Sequence, residues 1–256
     1  MPPSRHWASA PYARDRDQAA VADQFTSNTP VKTTLMRRYE VLYLDHDNAP
    51  ASHSAIAPAS ELFESAFSAF ARGTLIQTDQ GPCAIEDLQP GMRIDTEEFG
   101  PLPMLWRGMM NIIPNTPTDH PERAQLTRVM AGTFGMSRPT SDLVLGPAAR
   151  MPRRGNAEGL VPVSRFADGD SVIQTSPPSP VQVFHLCLPL QATIRANGLP
   201  IATYHPRPGM TEIMGPQMQR LFLSLFPHLD TMSDFGPALL HDAERQKAGI
   251  LEQVAI

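Results

Sequence analysis

Short alternating runs, rather than long helical stripes, carry most of the hydrophobic pattern of this chain. In Arg38 to Asp45 (RYEVLYLD), Val41 and Tyr43 share one face and Leu42 and Leu44 the other. Apolar residues on both faces predict a strand buried on both sides, or one added to a main domain. The turn-rich HDNAPASHS follows, and then Leu62, Phe63, Ala66, Phe67 and Phe70 at helical spacing behind Ser60 predict a helix through about Phe67. Ser68 to Asp95 reads as a series of short strands. Gly73–Thr78 is extended, Asp79-Gln80-Gly81-Pro82 has turn chemistry, Cys83–Leu88 is extended again, and Pro90-Gly91 favours a type II turn.

The same texture continues. PLPMLWRG (101–108) and QLTRVM (125–130) are strand-like around a Pro- and Thr-rich loop, and DLVLGPAARM (142–151) follows a turn-rich connection. LVPVSRFADG contains a strand and a tight Asp168-Gly169 turn, and SVIQT (171–175), VQVFHLCL (181–188) and TIRANGLPIATYH (193–205) close the series. Asn197-Gly198 is the strongest short hairpin signal in the chain. Beyond Gly209 the period becomes helical. Pro216 opens a stripe of Met218, Leu221, Phe222, Leu225 and Phe226 that Pro227 ends, and Pro237 to Val254 predicts a second helix. Such faces either cap the core or form a partner contact. Residues 1 to about 35 are polar; Asp15–Phe25 has no apolar stripe wide enough to anchor a helix, so a flexible tail is expected. The fold class expected is all-β, with an N-terminal arm of one strand and a short helix (1–66), a β domain (67–207) and a C-terminal helical extension (208–256).

Composition agrees with many short elements. Hydrophobic residues make up 41% of the 256 positions, enough for a core, and 27 prolines argue against long uninterrupted helices. The net charge of -5 gives no electrostatic footprint for nucleic acid or an anionic membrane. Arg150, Arg153 and Arg154 are the local exception, expected on a solvated loop. Cys83 and Cys187 are too few for a disulfide framework and lack metal-ligand spacing; small buried residues are expected, with a single bridge as the alternative. No apolar run approaches the roughly eighteen residues of a membrane span, and the N-terminus has no signal-type apolar region, so a soluble cytoplasmic protein is expected. Phosphate-binding glycine loops and a Gly-x-Ser-x-Gly elbow are missing, and the adjacent pairs Glu86-Asp87 and Glu97-Glu98 point to opposite faces of a strand. Neither cofactor nor metal is expected.

Five segments occur in a telling order: FARGTLI, AIEDLQPGMRI, LWRG, LVLGPAAR and ANGLPIATYHP. Together they resemble the Hint domain, the fold shared by inteins and the autoprocessing region of hedgehog proteins, and especially bacterial Hint-type domains. The resemblance implies a Hint-like fold over 67–207 and a reaction in which a cysteine before the Phe attacks the preceding carbonyl. That position is Ala69. The family's Thr- or Ser-x-x-His motif aligns with Gly146, Pro147, Ala148 and Ala149, where only the proline and the following Arg150 agree. Related domains also carry a histidine near Gln191, and splicing members finish with His-Asn where this chain has Tyr204-His205-Pro206.

The resemblance therefore implies a degenerate autoprocessing domain kept as a binding or structural module for an unknown protein partner. Two alternatives stand beside it: self-cleavage through a substitute nucleophile, and partner binding through the C-terminal helices. Among substitutes, Ser68 stands one residue early and so faces the opposite side of a strand, Thr74 and Thr78 lie along the strand, and Cys83 is on the next one. Residual chemistry rests on His185 and His205, which are either a core histidine and a strand-end histidine or an acid-base or metal pair in one cleft. His46, His53, His120, His228 and His241 are expected to face water.

Overall fold

A computed structural model describes residues 35–116, 120–152 and 159–238. The expected N-terminal tail, the second C-terminal helix, Arg153, Arg154 and His241 lie outside the described residues. All strand pairings are antiparallel. An eight-stranded sheet runs in the order Val172–Thr175, Leu126–Val129, Leu143–Leu145, Phe70–Ala71, Val181–Cys187, Trp106–Ile112, Met36–Leu44 and Pro50–Pro58. A six-stranded sheet holds the hairpins Leu75–Thr78/Gly81–Ala84, Arg93–Thr96/Gly100–Pro103 and Thr193–Ala196/Leu199–Ala202. Arg150–Pro152 and Leu160–Pro162 form a separate pair. The fold is all-β with few helices, as the alternating pattern predicts.

The last hairpin shows local chemistry deciding geometry. Asn197 and Gly198 both take positive φ, 46° and 79°, as a two-residue type I′ turn requires. Asn197 also binds across the sheet, its side-chain oxygen accepting from the Leu75 N–H at 2.8 Å. The turn residue therefore sews the last hairpin to the first strand of its sheet.

Three local expectations need correction. The turn-rich run after Asp45 is a tight loop followed by a full strand, Pro50–Pro58, paired along the whole of Met36–Leu44 and carrying His53. The Asp45 carboxylate makes the loop by accepting from the Asp47 and Ala49 N–H groups at 2.9 and 2.8 Å. Small Ala and Ser residues hid the strand because backbone pairing, not side-chain pattern, defines this edge. The helix after Ser60 is a single turn, Glu61–Glu64, and Ser60 makes no side-chain cap. The strand expected over Cys83–Leu88 stops at Ala84, because the carbonyls of Ile85, Glu86 and Leu88 turn onto the Arg107 guanidinium at 2.9, 2.5 and 2.8 Å. A buried cation replaces the ladder as the acceptors' partner.

Two apolar clusters fill the interior. One lies within the strands and includes Ala69, Ile76, Ile94, Ala149 and Ile194. The other joins Tyr39 and the short helix to the C-terminal helix Pro216–Leu223 through Phe63, Phe67, Trp106, Phe222 and Phe226. Phe226 stacks on Trp106 at 4.5 Å, and the indole N–H donates to the Leu225 carbonyl at 2.8 Å. Phe222, Leu225 and Phe226 are fully buried, so this helical face is used inside the molecule. Each such side chain contributes about 1.5–3 kcal/mol by burial. Among the described residues no helix is long and apolar enough to cross a membrane.

Candidate functional site

The peptide bond between Ser68 and Ala69 lies where the short strand Phe70–Ala71 enters the large sheet between Leu143–Leu145 and Val181–Cys187. Three backbone groups at that bond are paired. The Ala69 N–H donates to the Phe184 carbonyl at 2.9 Å, and the Ala69 carbonyl accepts from the Gly146 N–H at 2.8 Å. The Ser68 carbonyl accepts from the Ala148 N–H at 3.0 Å. A backbone donor aimed at a carbonyl is an arrangement that can stabilise an oxyanion.

Ala69 and Ala149 are fully buried in the same apolar cluster. Gly146 closes the third side, because a Cβ built there would stand 2.1 Å from the Ser68 carbonyl oxygen and 2.8 Å from its carbon. With this backbone, position 146 admits only glycine. The Ser68 hydroxyl is turned away and donates to the Glu64 carbonyl at 2.8 Å, so its hydrogen is committed one helical turn back.

The other positions singled out by the sequence do converge. His185, Gln191 and His205 line one cavity of about 30 Å³ beside Ala148 and Arg150, a space that fits about one water molecule. His185 Nδ1 accepts from the Leu186 N–H at 3.1 Å, which leaves the ring proton on Nε2 in the neutral form. Its ring meets Phe70 and Tyr204 edge-on at 5.6 and 5.5 Å. Burial, and then the Arg150 charge, lower its pKa to about 3, so the imidazole is neutral at pH 7 and a weak base. The two ring nitrogens of His205 face the carbonyls of Pro206 and Gly236 at 2.8 and 2.9 Å. Gln191 donates to the Thr203 carbonyl at 3.2 Å. Histidines 185 and 205 thus share a cavity, yet both are tied to backbone. Among the described residues no group of three or more His, Cys, Asp or Glu side chains is placed to hold a metal ion. His228 is not water-facing as expected: burial pulls its pKa down to about 4.

Cys83 and Cys187 are both free thiols, the first half-buried and the second buried. Burial raises the pKa of each, and for Cys83 the Asp87 carboxylate adds to the effect. Neither is an activated nucleophile.

A larger cleft of about 480 Å³ opens on the outer side of Ser68 and Ala148. Sequence reasoning missed it, because its walls come from separate strands and loops. Glu64 is held there by Arg37 at 2.8 Å and Arg123 at 3.3 Å, and Glu61 pairs with Arg207. Arg150 sits half-buried on the strand Arg150–Pro152, not on a solvated loop, because alternation that sends Met151 into the core turns Arg150 to the cleft.

These features belong together in one family. The sequence profile of the Hint domain matches residues 68–208, and the chain belongs to that family. The solution structure of a bacterial intein-like domain from Clostridium thermocellum is similar over 54% of this chain and 99% of that one, at 14% identity and a TM-score of 0.39. The crystal structure of the gp41-1 intein is similar over 54% of this chain and 98% of its own, at 13% identity and a TM-score of 0.35. No curated protein matches the chain.

Proposed function

We propose that this chain is a Hint domain whose self-cleavage centre has been dismantled and whose fold serves as a binding module. The observation that carries the reading is Gly146 pressed against the Ser68 carbonyl, with Ala69 and Ala149 packed in the core on either side. Self-cleavage needs a nucleophile adjacent to that carbonyl, an acid for the departing amide and room for a tetrahedral centre. The Ala148 N–H offers a donor to the carbonyl oxygen, but no side chain beside it supports the first two requirements, and the close approach of Gly146 speaks against the third. In this reading residues 67–207 form the Hint-like β domain, with residues 1–66 as an arm and 208–256 as a helical extension.

Substitute chemistry is disfavoured by the same geometry. The Ser68 hydroxyl donates to Glu64, and Cys83 stands on another hairpin. The test is the intact mass of the purified chain, incubated with and without thiol or hydroxylamine. The 28.1 kDa species should persist throughout. Nucleophile-dependent fragments split between Ser68 and Ala69 would refute the proposal.

A further inference from the structure

We infer that the cleft over Ser68 and Ala148 binds a small organic molecule carrying one carboxylate or phosphate group, which Arg150 receives. This deepens the binding-module reading and rests on it. The cavity of about 480 Å³ lies within the range of small-molecule sites. Two of its carboxylates are ion-paired inside the molecule, Glu61 with Arg207 and Glu64 with Arg37 and Arg123, and Glu122 lies beside the His120 ring.

Arg150 is different. Its guanidinium makes no hydrogen bond or ion pair with any described residue, and none of its nitrogens is sealed from solvent. It is nevertheless half-buried, so it has given up part of its hydration with no hydrogen-bond or ion-pair partner among the described residues in return. Burial first and the neighbouring Arg207 charge second hold its pKa below the ordinary value, against the opposing pull of Glu61. Three arginines line the cleft, and while Arg123 and Arg207 are ion-paired, Arg150 carries a charge with no ion pair among the described residues. An anion with two coplanar oxygens fits that charge, because the guanidinium presents parallel donors. Pro147, Pro162 and Ala59 supply apolar wall for the body of such a molecule.

The experiment is calorimetric titration of the full chain at low ionic strength with inorganic phosphate and, separately, with malonate. At least one probe should bind saturably at one site per chain, and the tighter of the two names the anion class. Arg150→Gln should weaken that binding at least about tenfold, the effect of losing a charged hydrogen-bond partner. No saturable binding by either probe, or equal binding by Arg150→Gln, overturns the inference. If that variant does not fold, phenylglyoxal labelling of the natural chain decides: a saturating probe should protect Arg150 in the peptide map, and unprotected Arg150 overturns the inference. Intact mass of the same samples reports self-cleavage separately, so failure of binding and failure of the inactive-centre reading are told apart.

Discussion

The stretch Gly146 to Arg150 borders two regions that treat polar groups in opposite ways. On its inner side, Ala69 and Ala149 sit in an apolar cluster, the backbone groups at the Ser68-Ala69 bond are paired, and the nearby His185 and His205 rings are tied to backbone. On its outer side, around Arg150, charged side chains line an open cleft, and one of them has no partner among the described residues. A centre built for acyl transfer needs its polar groups and its open space in the same place. Here the paired peptide bond and the open cleft lie on different sides of that stretch.

The harshest way to break the contrast is to restore the family's residues on the closed side. Gly146→Thr places a Cβ into the Ser68 carbonyl, where backbone rather than a flexible side chain must yield. We expect a loss of about 3 kcal/mol, the upper part of the range for overpacking, measured by urea unfolding. Ala149→His should be similarly costly, since it puts an imidazole into a fully buried apolar site. A Gly146→Thr variant as stable as the natural chain would mean that the centre has room for chemistry. On the cleft side the largest loss should come from Glu64→Gln, which leaves Arg37 and Arg123 facing a neutral group. About 2 kcal/mol is expected, less than for a fully buried pair because both arginines keep partial exposure. A change within about 0.5 kcal/mol would show that the pair is not part of the cleft's rigid wall.

The sequence made the centre legible and the cleft illegible, for physical reasons. Ala69, Gly146 and Ala149 are recognisable because a motif fixes their spacing along the chain, and the absence of a side chain can be read directly. The Asn197-Gly198 hairpin was legible because its φ values need those residues. The strand Pro50–Pro58 was not, since Ala and Ser carry no alternation for an edge strand to display. The cleft depends on Glu64, Arg123, Arg150 and Arg207, which are far apart in sequence and meet only through sheet order. One signal is available: Arg150 directly follows the stretch Gly146 to Ala149 that aligns with the family's motif.

His185 sharpens the inner side by titration. Its pKa is about 3 in the folded chain against an ordinary 6.5, so below pH 6.5 the unfolded chain binds the proton that the folded chain refuses. Stability is therefore fully present above about pH 6.5 and falls with pH, by up to about 1.4 kcal/mol per unit from this group. His228, lowered to about 4, acts in the same direction. Urea unfolding at several pH values should give a shallower acid slope for His185→Gln than for the natural chain. An unchanged slope would show that the imidazole is not held neutral in this cavity.

The smallest effect is the most discriminating. Removing a charge that pairs within the protein costs stability, whereas removing one kept for a ligand costs almost none. Arg150 has no partner among the described residues, and burial and Arg207 both oppose its charge. Arg150→Gln should therefore change the unfolding free energy by no more than about 0.5 kcal/mol without added anion, with a shift toward greater stability acceptable. With saturating malonate or phosphate the natural chain should gain stability by mass action, and the variant should not. A large loss in the absence of anion would make Arg150 part of the structural frame, and the contrast between a closed centre and an open cleft would fail at that residue.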